Sequence, residues 1–87
     1  MFRIWGKIIK DNHLLADTVV ADSSDDTRTH KVLRALEKIC AEMDLMQPIW
    51  LNQNIKEFQR TAKTRFRADS FVESVPFDYL EIQVIEE

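Results

Sequence analysis

The side chains able to do chemistry are few and scattered: His13 and His30, the single Cys40, and the acidic run of Asp22, Asp25 and Asp26. The three aspartates are hard oxygen donors of the kind a divalent cation takes, but the Asp-x-Asp-x-Asp-Gly spacing and a distal bidentate glutamate are missing. Helix capping and loop solvation is therefore the reading for them. The two histidines are widely separated, and the sequence pairs neither with a carboxylate. Cys40 falls on the apolar stripe of a helix, where a thiol serves as a small hydrophobe, and one cysteine makes no internal disulfide. One glycine in 87 residues excludes the glycine-rich loops that bring backbone amides to a pyrophosphate. No Gly-x-Ser-x-Gly, His-Glu-x-x-His or Cys-x-x-Cys motif is present. The expectation is a non-enzymatic chain with no catalytic set, cofactor or metal. A small hydrolase or metal-dependent enzyme would need His30 or Asp17 coupled to a neighbour.

Two other groups of residues bear on binding. Lys31, Arg34 and Lys38 recur on the polar side of one helix; Lys56, Arg60 and Lys63 do so on a second, followed by Arg65 and Arg67. Such stripes can track phosphates and would make binding steeply salt-dependent, the mark of a nucleic-acid accessory factor. The competing account is two solvated helix faces answered by the acidic C-terminal block, and it is preferred. The net charge of −3 gives no reason by itself to expect nucleic acid or an acidic membrane. The charge alternates along the chain: basic over 1–10, acidic over 11–26, basic over 27–38, acidic over 39–55, basic over 56–67 and acidic over 68–87. The second group is apolar. Trp5 and Ile9 lie on the half-polar face of an N-terminal hairpin and Ile85 points outward from the last strand, a patch suited to a protein partner or a second copy.

The elements that must position these residues are legible to different degrees. Val32, Leu33, Leu36, Ile39, Cys40 and Met43 follow the i, i+3, i+4, i+7 spacing of an amphipathic helix over about 26–44, with Ser24 as its N-cap. Phe2–Lys10 and His13–Asp22 read as a hairpin over about 2–22 around a two-residue Asp11-Asn12 loop. Pairing Lys10 with His13 puts Ile8 opposite Leu15, Ile4 opposite Val19 and Gly6 opposite Asp17 on the helix-facing side; a carboxylate there would be costly to bury, so Asp17 reads instead as a strand-edge or bulge position where the alternation slips. Pro48–Leu51 is an optional edge strand with Trp50 as a core anchor. A second helix runs over about 52–63, capped by Asn52 and lined by Ile55, Phe58 and Ala62. Residues 64–68 are another optional strand. Asp69–Pro76 is a loop plugged by Phe71 and Val72, and a strand over about 77–86 alternates Leu80, Ile82 and Val84 with Glu81, Gln83 and Ile85. Its glutamates would guard it at a sheet border.

The chain thus reads as a single α+β domain over 1–87, a mainly antiparallel sheet with two helices on one face. Its 45% apolar and 31% charged residues are those of an ordinary globular protein. No apolar run approaches the roughly 18 residues of a membrane span, and Met-Phe-Arg-Ile-Trp-Gly-Lys is not a secretory signal, so the cytoplasm is expected. Through Ile4-Trp5-Gly6-Lys7, Asp25-Asp26-Thr27-Arg28-Thr29-His30-Lys31, Pro48-Ile49-Trp50-Leu51, Lys63-Thr64-Arg65-Phe66 and the strand from Phe77 to Glu86, the whole chain resembles a group of short, uncharacterised proteins of clostridial-type bacteria. That resemblance implies a bacterial cytoplasmic protein and carries over no catalytic or binding residue.

Overall fold

Asp11 and Asn12 both take positive φ, 51° and 65°, the conformation of a two-residue hairpin turn whose twist matches its flanking strands. The turn joins β1 (Phe2–Lys10) to β2 (His13–Asp22). The computed structural model describes all residues 1–87. Beyond the hairpin come α1 (Arg28–Glu42), α2 (Asn52–Thr61), β3 (Lys63–Phe66), a 3-10 turn at Ala68–Ser70 and β4 (Tyr79–Glu86). The four strands make one antiparallel sheet in the order β2-β1-β4-β3. The fold is α+β, with the first and last strands at its centre.

Both helices pack on the same side of the sheet. Ile4 and Ile8 of β1, Leu80 and Ile82 of β4 and Phe66 of β3 meet Val32, Ala35, Leu36, Ile39 and Cys40 of α1 and Phe58 of α2 in one core. Gly6 sits under Ile39: a Cβ there would stand 2.7 Å from Ile39 Cγ2, so the residue is set by the close approach of α1. Trp50 packs edge-on against Phe58 and Phe66, with ring centroids 5.6 and 5.0 Å away. It is the anchor its sequence context predicts.

The structure corrects several local expectations. α1 begins later, because Thr27 is its N-cap, with Oγ1 accepting the N–H of His30 at 3.2 Å, whereas Ser24 belongs to the preceding loop. It ends at Glu42, where Asp44 turns left-handed at φ 55°. Leu33, expected in the core stripe, is 46% exposed. In the hairpin, Ile8 pairs with Ala16 but Ile9 with Leu14, so Leu15 is an extra, bulged residue. From there the register differs by one: Ile4 faces Val20, Gly6 faces Thr18, and Asp17 pairs with Lys7 on the helix-free side, exposed. Residues 49–51 form no strand, whereas Lys63–Phe66 does. α2 is capped at Leu51, not Asn52, and Asn54 closes the cap by accepting the Leu51 N–H and donating to Thr64. Phe71 is buried but Val72 is exposed. β4 lies in the centre of the sheet, so its glutamates guard no border.

Candidate interaction surface

With both helices on one side, the other face of the sheet is uncovered, and its side chains form cross-strand rows. The middle row crosses all four strands as Asp17, Lys7, Glu81 and Arg65, alternating in charge. Lys7 Nζ lies 2.7 Å from Glu81 Oε2 and Arg65 Nε 2.9 Å from Glu81 Oε1. The Glu81 side chain is only 6% exposed although it belongs to the uncovered face, because those two cations close over it. Burial pushes its carboxyl upward, but the hydrogen bonds and charges of Lys7 and Arg65 outweigh that and hold it below the usual glutamate range. Trp5 Nε1 donates to Asp17 Oδ2 at 2.9 Å, and Lys7 Nζ stands 4.0 Å from the Trp5 ring centroid. Arg65 caps Tyr79 in the same way at 4.6 Å. The row is therefore internally satisfied.

Apolar side chains flank it. Val19 lies beside Trp5, and Leu14 beside Ile9, whose other neighbour is Tyr79. Val19 and Leu14 are about half exposed at 49% and 51%. Ile85 is an exposed bulged residue of β4, between the pairs Ile4–Val84 and Arg3–Glu86. Trp5 and Ile9 thus share the uncovered face as the sequence predicts, and α2 does not cover them.

The cations predicted to track phosphate are divided between two regions. On α1, Arg34 is held by Asp22 at 2.7 Å and Asp26 at 3.1 Å, and Lys31 Nζ lies over the Phe2 ring at 5.8 Å; Lys38 is exposed. Arg34, and then Ser24, keep Asp22 well below the usual carboxylate range. At the opposite border of the sheet, Lys56, Arg60, Lys63 and Arg67 make no ion pair, whereas Arg65 is engaged by Glu81. Asp22 and Asp26 are held by Arg34 and by the N–H groups of Ser24 and Thr27, Asp25 is exposed, and no group of three or more His, Cys, Asp or Glu is arranged to hold a metal.

Of the other candidates, His13 is exposed beside the hairpin turn, His30 is paired and Cys40 is buried. His30 Nδ1 lies 2.9 Å from Asp26 Oδ1, a pairing that sequence reading missed although its i, i+4 spacing was visible. That bond, with the Thr27 N–H and Arg34, lowers Asp26 to about 2. The Cys40 thiol is buried and pushed up to about 11, far from a thiolate nucleophile. A concavity of about 330 Å³ opens between α1 and α2 over Val32, Leu33, Trp50, Ile55 and Phe58, with Arg28 beside them. The buried Trp50 Nε1 has no acceptor there, while Arg28 is paired with Glu87 at 2.7 Å.

No helix is long and apolar enough to cross a membrane. Against known proteins, no family model matches the chain, and neither the curated proteins nor the solved structures provide a match.

Proposed function

We propose that this chain is a non-enzymatic interaction module of the bacterial cytoplasm that binds a protein, or a second copy of itself, through the helix-free face of its sheet. The observation that carries the reading is the placement of Trp5, Ile9, Leu14, Val19 and Tyr79 together on a rigid face that no element of the chain covers. Aromatic and aliphatic side chains held by a sheet lose little entropy on docking, and aromatic anchors dominate protein interfaces. The charge row between them fixes the orientation of a partner more than it adds affinity. Trp5→Ser removes the anchor while leaving the core face untouched. In a pull-down from nuclease-treated host lysate, or in self-association measured by sedimentation, the variant loses binding and keeps its fold. Retained binding would exclude the Trp5 face; unfolding would place Trp5 among the core residues.

A second reading, a nucleic-acid-binding accessory factor, is favoured by Lys56, Arg60, Lys63 and Arg67 at the β3 border, where Arg67 Cζ approaches the Tyr79 ring at 5.8 Å. Phosphate-tracking cations beside a half-buried ring suit single strands. Glutamine at Arg60, Lys63 and Arg67 would then weaken nucleic-acid binding and flatten its salt dependence. Recovery of partners that vanish on nuclease treatment supports this reading over the first.

A further inference from the structure

The two borders of the sheet are built differently. β3 is four residues long, carries Lys63 and Arg65, and runs into Arg67; short length and cations are the usual guards against edge pairing. β2 is ten residues long, His-Leu-Leu-Ala-Asp-Thr-Val-Val-Ala-Asp, with no lysine, arginine or proline. It lies at the border with no strand outside it. Leu14, Leu15 and Val19 on it are about half exposed, from 49% to 56%. Its charges are the two carboxylates Asp17 and Asp22, engaged by Trp5 and Arg34 of the same chain, and the Leu15 bulge lies near the turn and leaves the run from Ala16 to Asp22 regular. Such a strand presents a free ladder of backbone donors and acceptors.

From this asymmetry we infer that β2 pairs antiparallel with β2 of a second copy, about a two-fold axis at Val19, giving a closed dimer with one eight-stranded sheet. The inference goes beyond the proposed function: its partner is a second copy, its contact is the β2 edge, and the helix-free face stays open. Three observations select the occupant and register. Keeping each copy's helices on the same side requires residues of like face to oppose one another. With Val19 opposite itself, Asp17 meets Ala21 and Asp22 meets Ala16, so no like charges are juxtaposed, whereas an axis at Asp17 would set two carboxylates together. The same register joins the Trp5–Val19 rows of the two copies into one apolar band on the uncovered face. α1 lies over β1 and β2, so the two α1 axes stand about two strand spacings, roughly 10 Å, apart, the distance at which helices pack. Because both outer borders of the dimer are the guarded β3, pairing stops at two copies and makes no fibre.

Complementary charges at the axis test this directly. Purified wild-type protein sediments as a dimer in the micromolar to millimolar range, and its β2 amides from Ala16 to Asp22 exchange more slowly as concentration rises. Val19→Lys and Val19→Asp, each half-exposed and so compatible with folding, bring like charges together at the axis and weaken the dimer at least about tenfold. Mixing the two restores it. A wild-type monomer throughout the range, a dimer indifferent to both substitutions, or a mixture that stays monomeric overturns the inference. Capture of a foreign protein through Trp5 by a wild-type chain that stays monomeric would leave the proposed function standing while the dimer fell; a Val19-centred dimer with no Trp5-dependent partner would leave the dimer as the only association.

Discussion

The two faces of the sheet use the same strands to opposite ends. On the helix side, Ile4, Ile8, Leu80 and Ile82 are closed over by α1 and α2, and stability there comes from removing apolar area from water. On the other side, Asp17, Lys7, Glu81 and Arg65 satisfy one another at the surface, and the neighbouring Val19 and Leu14 stay half exposed. Residues one step apart along β1 therefore answer to different physics. Ile8 holds the fold, while Ile9 is available to something outside it.

Substitutions on each face should separate these roles. Truncating Ile39, which is fully buried over Gly6, to alanine removes core volume and is expected to cost about 2–5 kcal/mol in urea unfolding; a loss under about 1 kcal/mol would mean that the helix face is loosely packed. Gly6→Ala acts at the same contact from below. A β-branched, buried Ile39 cannot swing clear of the new methyl, so a cost of about 1–3 kcal/mol is expected from overpacking. Glu81→Gln reaches the uncovered face. It leaves Lys7 and Arg65 without their shared carboxylate and is expected to cost about 1–3 kcal/mol at neutral pH.

The pH dependence of that last difference has a definite sign. Glu81 titrates below its ordinary 4.5 in the folded chain, so its stabilisation is whole above that value and fades as the pH falls through the lowered folded value. Wild type and Glu81→Gln should therefore converge in acid, as followed by thermal melts across pH; a gap that widens in acid would show that Glu81 is held neutral. Val19→Ser completes the series as the smallest effect, within about 0.5 kcal/mol on the stability of the isolated chain, and a larger loss would assign Val19 to the core.

Much of the helix face was legible in the residues. The stripe from Val32 to Cys40 and the alternation of Leu80, Ile82 and Val84 are periodic signals, and the Asp11-Asn12 turn is a local one. The register of β2 was legible only in part: Asp17 within an apolar run pointed to a slip in the alternation, but nothing local placed the bulge at Leu15, which reverses every later residue. Asp17, which strict alternation would set in the core, is a surface partner of Trp5 and Lys7 for that reason alone. Trp5 and Ile9 could be placed on the uncovered face because β1 itself is regular. The row through Glu81 needed the strand order, since Lys7, Glu81 and Arg65 are brought together only when β4 enters between β1 and β3.

That entry also bears on how the protein is made. β4 follows the other three strands in the chain and must insert between two of them, so the sheet remains divided until β4 has emerged from the ribosome. Until then β1 has one bare edge and half of the core lacks its Leu80–Ile82 wall. Closing so distant a pairing belongs to the slow class of folding steps.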